Sequence, residues 1–257
     1  MKLYARSNGN KGCSVLLSLL VLLAIQSLGV SAKSKSEIAE QAIRSALGDS
    51  RPDLEILSIQ SSRMSGLYEV VIGEGATLYF SEDGGYFILG DLFRVDNQKL
   101  VNLDDIRRNK KRSDKINTVE VKDMIVFSPE GKARAVINVF TDVDCFYCQK
   151  LHKEVPALNQ MGVEVRYLAY PRAGINSESY RKIATAWCAV DPQDAITRIK
   201  NGENLADNVC TPNPVADQFL LGQQVGVRGT PAMILESGEM LPGYMPALEL
   251  GRKLGIN

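Results

Sequence analysis

Apolar positions recur at two different periods along this 257-residue chain, and the changes between them mark out its elements. Ser36 precedes Ile38, Ile43 and Leu47 on one helical face, and Gly48 offers a stop, which predicts a first helix capped by Ser36. Short strand-like runs follow at Leu54 to Ile59, Leu67 to Ile72, Ala76 to Phe80 and Tyr86 to Leu89. Asp83-Gly84-Gly85 supplies the hairpin turn between the last two. From about Val119 strands and helices alternate. The strands are expected at Met124 to Phe127, Ala135 to Phe140, Val163 to Tyr170 and Ala232 to Leu235. The helices are expected at Cys145 to Gln160 with Pro156 bending it, at Ser177 to Val190, at Pro192 to Lys200 under an Asp191 cap, and around Val215 to Val225. This alternation predicts an α/β domain with a central sheet, preceded by a smaller α+β one. So small a first unit, with several strands and one helix, is poorly covered alone and is expected to bury an edge or a face by dimerising.

Charge separates the two. Between Asn102 and Asn117 the apolar stripe thins to Leu103, Ile106 and Ile116, while Arg107 to Arg112 form a basic run. Acids at Asp104, Asp105 and Asp114 flank that run, so it reads as a solvated linker helix acting as a spacer and not as a nucleic-acid site. At the N-terminus Lys2, Arg6 and Lys11 precede an uncharged, mostly apolar run from Cys13 to Val30 that ends in Val30-Ser31-Ala32. The run is shorter than a usual spanning helix and ends in small residues, the pattern of a secretory signal cleaved after Ala32. The organisation expected is therefore a signal at residues 1–32, an N-terminal domain at 33–98, a linker helix at 99–118 and a larger domain at 119–257. Removal of the signal leaves 27 cationic and 30 anionic side chains, a net charge of minus three. Neither nucleic acid nor an anionic surface is implied as a partner.

Export changes the meaning of the cysteines. Cys13 leaves with the signal and four remain, an even number in an oxidising compartment. Cys145-Phe146-Tyr147-Cys148 follows the acidic loop Thr141-Asp142-Val143-Asp144, where a predicted strand hands over to a predicted helix. The first cysteine thus falls near a helix N-terminus, where unpaired N–H groups and the helix dipole stabilise a thiolate, the form that attacks a disulfide. Asp144 opposes this, since a neighbouring carboxylate disfavours the thiolate. A strand, loop, Cys-x-x-Cys and helix inside an α/β domain is the thioredoxin-like redox arrangement. Cys188 and Cys210 lie 22 positions apart, a spacing compatible with a structural disulfide and unlike the paired close-spaced knuckles of a zinc site. His152, the lone histidine, falls one turn after Cys148. With no second histidine and no ligand set, it is expected as a partly exposed helix residue without a catalytic role.

From Met124 onward the chain resembles the periplasmic disulfide isomerases of the DsbC/DsbG type. The resemblance is carried by Val139-Phe140-Thr141-Asp142, Cys145-x-Tyr147-Cys148, Tyr167-Leu168-Ala169-Tyr170-Pro171-Arg172, Trp187-Cys188-Ala189, Gly229-Thr230-Pro231 and Pro242-Gly243-Tyr244. It implies a cystatin-like α+β dimerisation domain, a linker helix and an α/β thioredoxin-like catalytic domain, assembled as a V-shaped homodimer whose two active sites face a shared cleft. It further implies Cys145 as the attacking and Cys148 as the resolving cysteine, and a structural Cys188–Cys210 disulfide. Thr230-Pro231 corresponds to the cis-proline beside the reactive sulfurs, where the residue before the proline pairs with an extended client. Phe146 and Tyr147 then shape the thiol surroundings on the client-binding side, although Phe146 departs from the small residue expected there in an isomerase. The implied partners are misoxidised exported proteins and a membrane-bound thiol reductase of the DsbD type; no cofactor and no metal are implied. The activity implied is correction of non-native disulfides by isomerisation or reduction. A DsbG-like sulfenic acid reductase or chaperone, or a thiol oxidase, would use the same motif.

Overall fold

A computed structural model describes residues 33–73 and 75–256; the signal expected at residues 1–32, Cys13 included, lies outside them. The chain divides between Gly90 and Asp91 into two compact units. In the first, helix α1 (Lys35–Ser50) starts at Ser34, whose side chain accepts from the Glu37 N–H while the Glu37 carboxylate accepts from the Ser34 N–H. The cap is Ser34 and not Ser36 because only Ser34 has a glutamate three residues on to close this reciprocal box. The helix also runs past Gly48, which weakens a helix without ending it. Ala39, Ile43 and Leu47 bury against Tyr68, Val70, Leu78 and Phe80 of an antiparallel sheet. Its strands β1 (Ile56–Ser61), β2 (Leu67–Ile72), β3 (Ala76–Ser81) and β4 (Phe87–Leu89) lie in chain order. The β3–β4 turn requires Gly84, at φ +72°, because a Cβ there would sit 2.9 Å from the Ala42 carbonyl oxygen of α1.

The second unit opens with a hairpin that the strand reading missed, β5 (Phe93–Asp96) and β6 (Lys99–Asn102). Asn97 and Gln98 join the two with φ of 45° and 67°, the left-handed pair that a tight two-residue hairpin turn demands. Asn102 then caps α2 (Leu103–Ile116), accepting from the N–H groups of Asp104 and Asp105. This helix is docked and not a free spacer. Arg112 donates to the carbonyls of Val225 at 3.1 Å and Gly238 at 2.7 Å, Ser113 donates to the Glu236 carbonyl, and Lys115 donates to Gln224. Gly238 has no room for a Cβ beside the Asn109 carbonyl.

The central sheet has the order β11-β10-β8-β9-β7, built from β7 (Ile125–Phe127), β8 (Ala135–Thr141), β9 (Val163–Ala169), β10 (Ala232–Leu235) and β11 (Met240–Pro242). Only β8 and β9 are parallel, and α3 (Phe146–Gln160) makes the crossover between them. Helices α4 (Glu178–Trp187), α5 (Pro192–Lys200), α6 (Val215–Gln224) and α7 (Ala247–Lys253) complete the unit. Both faces of the sheet are covered, which explains why β8 reads as a nearly continuous apolar run. Ile137 and Val139 pack with Leu151, Val155 and Leu158 of α3. Phe140, from the opposite face, packs with Ile116 of α2, Leu168 and Ile234. Among the described residues no helix is long and apolar enough to cross a membrane.

Candidate active site

The Cys-x-x-Cys segment sits at the carboxyl end of β8, the central strand. Cys145 is the N-cap of α3, with extended backbone, and its Sγ accepts from the Cys148 N–H at 3.4 Å. The same sulfur lies 3.2 Å from the Thr230 carbonyl, to which it donates only in its protonated form. Thr230-Pro231 is a cis peptide bond immediately before β10, so the strand next to β8 brings it to the sulfurs. Both cysteines are free thiols and almost fully buried, at 3% and 1% exposure. The Thr230 hydroxyl is buried and has no hydrogen-bond partner of its own, so its proton is available to a neighbouring sulfur.

The two sulfurs differ in acidity. Cys145 is brought down to about 5, first by the Cys148 S–H that donates to it, then by the Thr230 side chain, the Cys148 N–H and the Arg172 charge, against burial. Burial pushes Cys148 far up, and donation to Cys145 adds to this, while the Lys200 charge and the Asp142 N–H act in the other direction. Cys145 is therefore a thiolate at neutral pH and Cys148 a thiol.

The acidic loop resolves into two different carboxylates. Asp142 is 2% exposed and clamps the loop, accepting from the N–H groups of Asp144 and Arg172 and from the Ser179 hydroxyl at 2.7 Å. Asp144 is partly exposed and pairs with Lys182 at 3.1 Å. That ammonium, which also pairs with Glu178 at 2.9 Å, works against the opposition to the thiolate expected of Asp144. His152 departs from expectation: it is buried, with Nδ1 2.9 Å from the Tyr167 hydroxyl and Nε2 3.0 Å from the Thr197 hydroxyl. Burial, then Lys200, holds it down to about 4, so it is neutral.

Phe146 and Tyr147 face outward, at 70% and 55% exposure, and pack edge to face against each other. Tyr147 also stacks on Tyr244, whose ring carries the Lys150 ammonium at 4.3 Å and whose hydroxyl donates to Glu154 at 2.6 Å. Cys188, the C-cap of α4, is joined to Cys210 in a disulfide with Cα atoms 5.6 Å apart. The sequence reading brought together Cys145, Cys148, Thr230 and Pro231. It passed over Lys182, Lys200 and Tyr244 as site residues, since a helical lysine carries no mark of what it faces.

A thioredoxin-like domain model matches residues 121–255, and a model of the disulfide bond isomerase protein N-terminal domain matches residues 33–105. The thiol:disulfide interchange protein DsbC of Haemophilus influenzae is 38% identical over 196 residues, 76% of this chain and 82% of that protein. The DsbC of Escherichia coli K12 is 38% identical over 193 residues, 75% and 78% of the two chains, and that of Dickeya dadantii is 32% identical over 231 residues, 90% and 92%. Among solved structures, a disulfide interchange protein from Neisseria gonorrhoeae aligns over 54% of this chain and 100% of its own at 29% identity, with a TM-score of 0.47. With its N-terminal and thioredoxin-like parts both matched and the two thiols placed at a helix N-terminus, the chain belongs to the DsbC family of thiol:disulfide interchange proteins.

Proposed function

We propose that Cys145 attacks and Cys148 resolves, and that the principal reaction is isomerisation of wrong disulfides in exported clients. The observation that carries this is the pair of free thiols three residues apart with opposite acidity. The Cys145 thiolate attacks one sulfur of a client disulfide; a Cys145–client bond forms, and the second client sulfur leaves as a thiolate with the electron pair. A different client thiolate then displaces Cys145, which regains its electron pair, and the client disulfide has moved with no net oxidation. Alternatively Cys148 displaces the client, which is thereby reduced, while Cys145 and Cys148 become a disulfide. In this reading Thr230, the residue before Pro231, pairs with an extended client backbone beside the sulfur. Phe146, Tyr147 and Tyr244 offer that client an aromatic surface around it.

The assembly is a homodimer through the N-terminal unit. Support comes from β4, an edge strand whose Phe87, Ile88 and Leu89 are all more than half exposed, with Tyr86 beside them at 78%. The compartment is the periplasm, reached by a signal removed near Ala32, and the Cys188–Cys210 disulfide suits an oxidising space. The dimerisation domain is read as residues 33–98, the linker as residues 99–118 with α2 as its helix, and the catalytic domain as residues 119–257. A membrane-bound reductase of the DsbD type returns the oxidised pair to dithiol. Reactivation of scrambled ribonuclease tests the central reading: Cys145→Ala is expected to abolish it, and full activity of that variant would overturn the assignment. A sizing measurement on the mature protein tests the dimer.

A further inference from the structure

Lys200 ends α5 with its ammonium turned into the protein. It is 3% exposed and donates to the Thr141 hydroxyl at 2.8 Å and to the Asp142 carbonyl at 3.3 Å, with Nζ 5.4 Å from the centre of the Tyr167 ring. Among the described residues no carboxylate lies within ion-pair distance of it. A buried cation held by two neutral oxygens is costly unless another charge answers it. Thr141 ends β8 and Asp142 begins the loop that leads into the Cys-x-x-Cys segment, and the Asp142 carbonyl also accepts from the Cys145 N–H at 3.4 Å, so the lysine is bonded from the buried, inner side to the backbone that carries the thiols.

The groups facing it leave one proton-exchange partner. From α3 come Cys145, already a thiolate, Cys148, and His152, held neutral by burial and by Lys200 itself. From β9 comes Tyr167, which burial and Cys148 keep protonated. Asp142 and Asp144 come from the loop after β8, the first engaged with Ser179 and Arg172 and the second with Lys182. Burial brings Lys200 down to about 8, and Cys148 heads the charges that oppose this. Cys148 in turn is the buried thiol that must lose its proton before it can attack.

We propose that Lys200 is a positioning residue for the resolving step, taking the proton of Cys148 so that an ammonium–thiolate pair forms in place of a bare buried thiolate. This rests on the reading of Cys148 as the resolving cysteine. In the step the S–H proton passes to Lys200 Nζ, Cys148 Sγ bonds to Cys145 Sγ, and the bond between Cys145 and the client sulfur breaks. The client sulfur leaves as a thiolate with the electron pair, and the ammonium returns its proton to solvent. A Cys148 thiol beside a Lys200 amine and a Cys148 thiolate beside a Lys200 ammonium hold the same number of protons. The resolving rate therefore rises with pH until the pair has lost one proton, and then levels off.

Rapid mixing of the reduced, full-length mature protein with an excess of a nitrothiobenzoate disulfide tests this. One chromophore is released when Cys145 attacks, and a second when Cys148 displaces the adduct. In Lys200→Met the first phase is expected to be preserved, which shows an intact site. The second is expected to slow by about tenfold near pH 7, the effect of one pKa unit on the reactive population, and to keep rising with hydroxide without levelling. Lys200→Arg, which keeps the charge but has no removable proton, is expected to lose the levelling as well. Wild-type rate and profile in both variants, with the second phase absent in Cys148→Ala, would overturn the role of Lys200 alone. A second phase that persists at full rate in Cys148→Ala would overturn the resolving assignment on which it rests.

Discussion

Acidifying the reduced protein should remove stability that the Cys145 thiolate supplies. In the folded chain this thiol is brought down to about 5 from an ordinary value of 9.0, chiefly by the Cys148 S–H. In the unfolded chain those donors are gone and the ordinary value returns. Because the folded value is the lower one, the stabilisation is complete above about pH 9, shrinks as the pH falls between the two values, and vanishes below about pH 5. At pH 7 two units of the difference are in force, roughly 3 kcal/mol. Oxidation abolishes the thiolate but closes a very short loop in the unfolded chain, worth about 2 kcal/mol. The reduced form is thus expected to be the more stable by about 1 kcal/mol at pH 7 and the less stable by about 2 kcal/mol below about pH 5.

Urea unfolding followed by Trp187 fluorescence reads this directly. Trp187 is the chain's one tryptophan, ends α4 in the thiol-bearing unit, and donates to the Asp123 carbonyl at 2.9 Å. The quantity to plot is the stability of the reduced form minus that of the oxidised form, from about pH 8 to about pH 4, in which other titrating groups largely cancel. Cys145→Ala cannot form the disulfide, so its single stability curve stands beside that of the reduced unaltered protein and should lack the fall between about pH 9 and about pH 5 that the thiolate contributes. A flat difference in the unaltered protein would refute the claim that hydrogen bonds and Arg172 acidify Cys145 more than burial opposes them.

Four further outcomes follow from single contacts. His152 is held to about 4, so below its ordinary 6.5 the unfolded chain takes a proton that the folded chain refuses; up to about 3 kcal/mol is lost by about pH 4, and His152→Gln should flatten that acid limb in urea midpoints. Lys182→Gln leaves Asp144 unpaired, so the pH midpoint of Cys145 alkylation should rise by up to about one unit; a fall would contradict the compensation described above. Replacing both Cys188 and Cys210 by alanine should cost about 3 kcal/mol in chemical unfolding, from the loop they close, while the Cys145 phase of thiol exchange persists. Gly222→Ala would bring a Cβ to 2.5 Å from the Tyr170 ring, so the thermal midpoint should drop by the equivalent of about 1–3 kcal/mol despite alanine's helix preference; a stabilised variant would show that the ring can yield.

Where periodicity was strong, the sequence predicted the elements closely. β10 and α5 match at both ends, and Asp191 caps α5 through the Asp194 N–H. Local chemistry decided the misses. The first cap moved from Ser36 to Ser34 because Glu37 completes the box only with Ser34. The hairpin at residues 93–102 shows period-two alternation around Asn97, a turn residue that tolerates left-handed backbone, so its signal was present and unused. The docking of α2 was not legible, since Arg112 and Ser113 are held by carbonyls more than a hundred residues away. The same holds for the site. Cysteine spacing and context gave the two thiols, but Lys182 answering Asp144 and Lys200 turned inward onto Thr141 and Asp142 depend on which way helix side chains turn.

On the proposed assignment, these hidden partners bear on which reaction the pair performs. A sulfur whose conjugate thiol sits at about 5 is a good leaving group, so a Cys145–client bond is quickly broken by any client thiolate that reaches it. That favours moving the disulfide within the client. Reduction competes only when Cys148 attacks first, and burial holds Cys148 as a thiol. The balance between the two outcomes therefore turns on how easily Cys148 sheds its proton, which lies with the inner side of the site and the Lys200 amine. Phe146 and Tyr147, on the outer side, govern how long a client stays within reach of Cys145. Altering the inner side should shift the ratio of reduction to isomerisation, whereas altering the outer side should change both together.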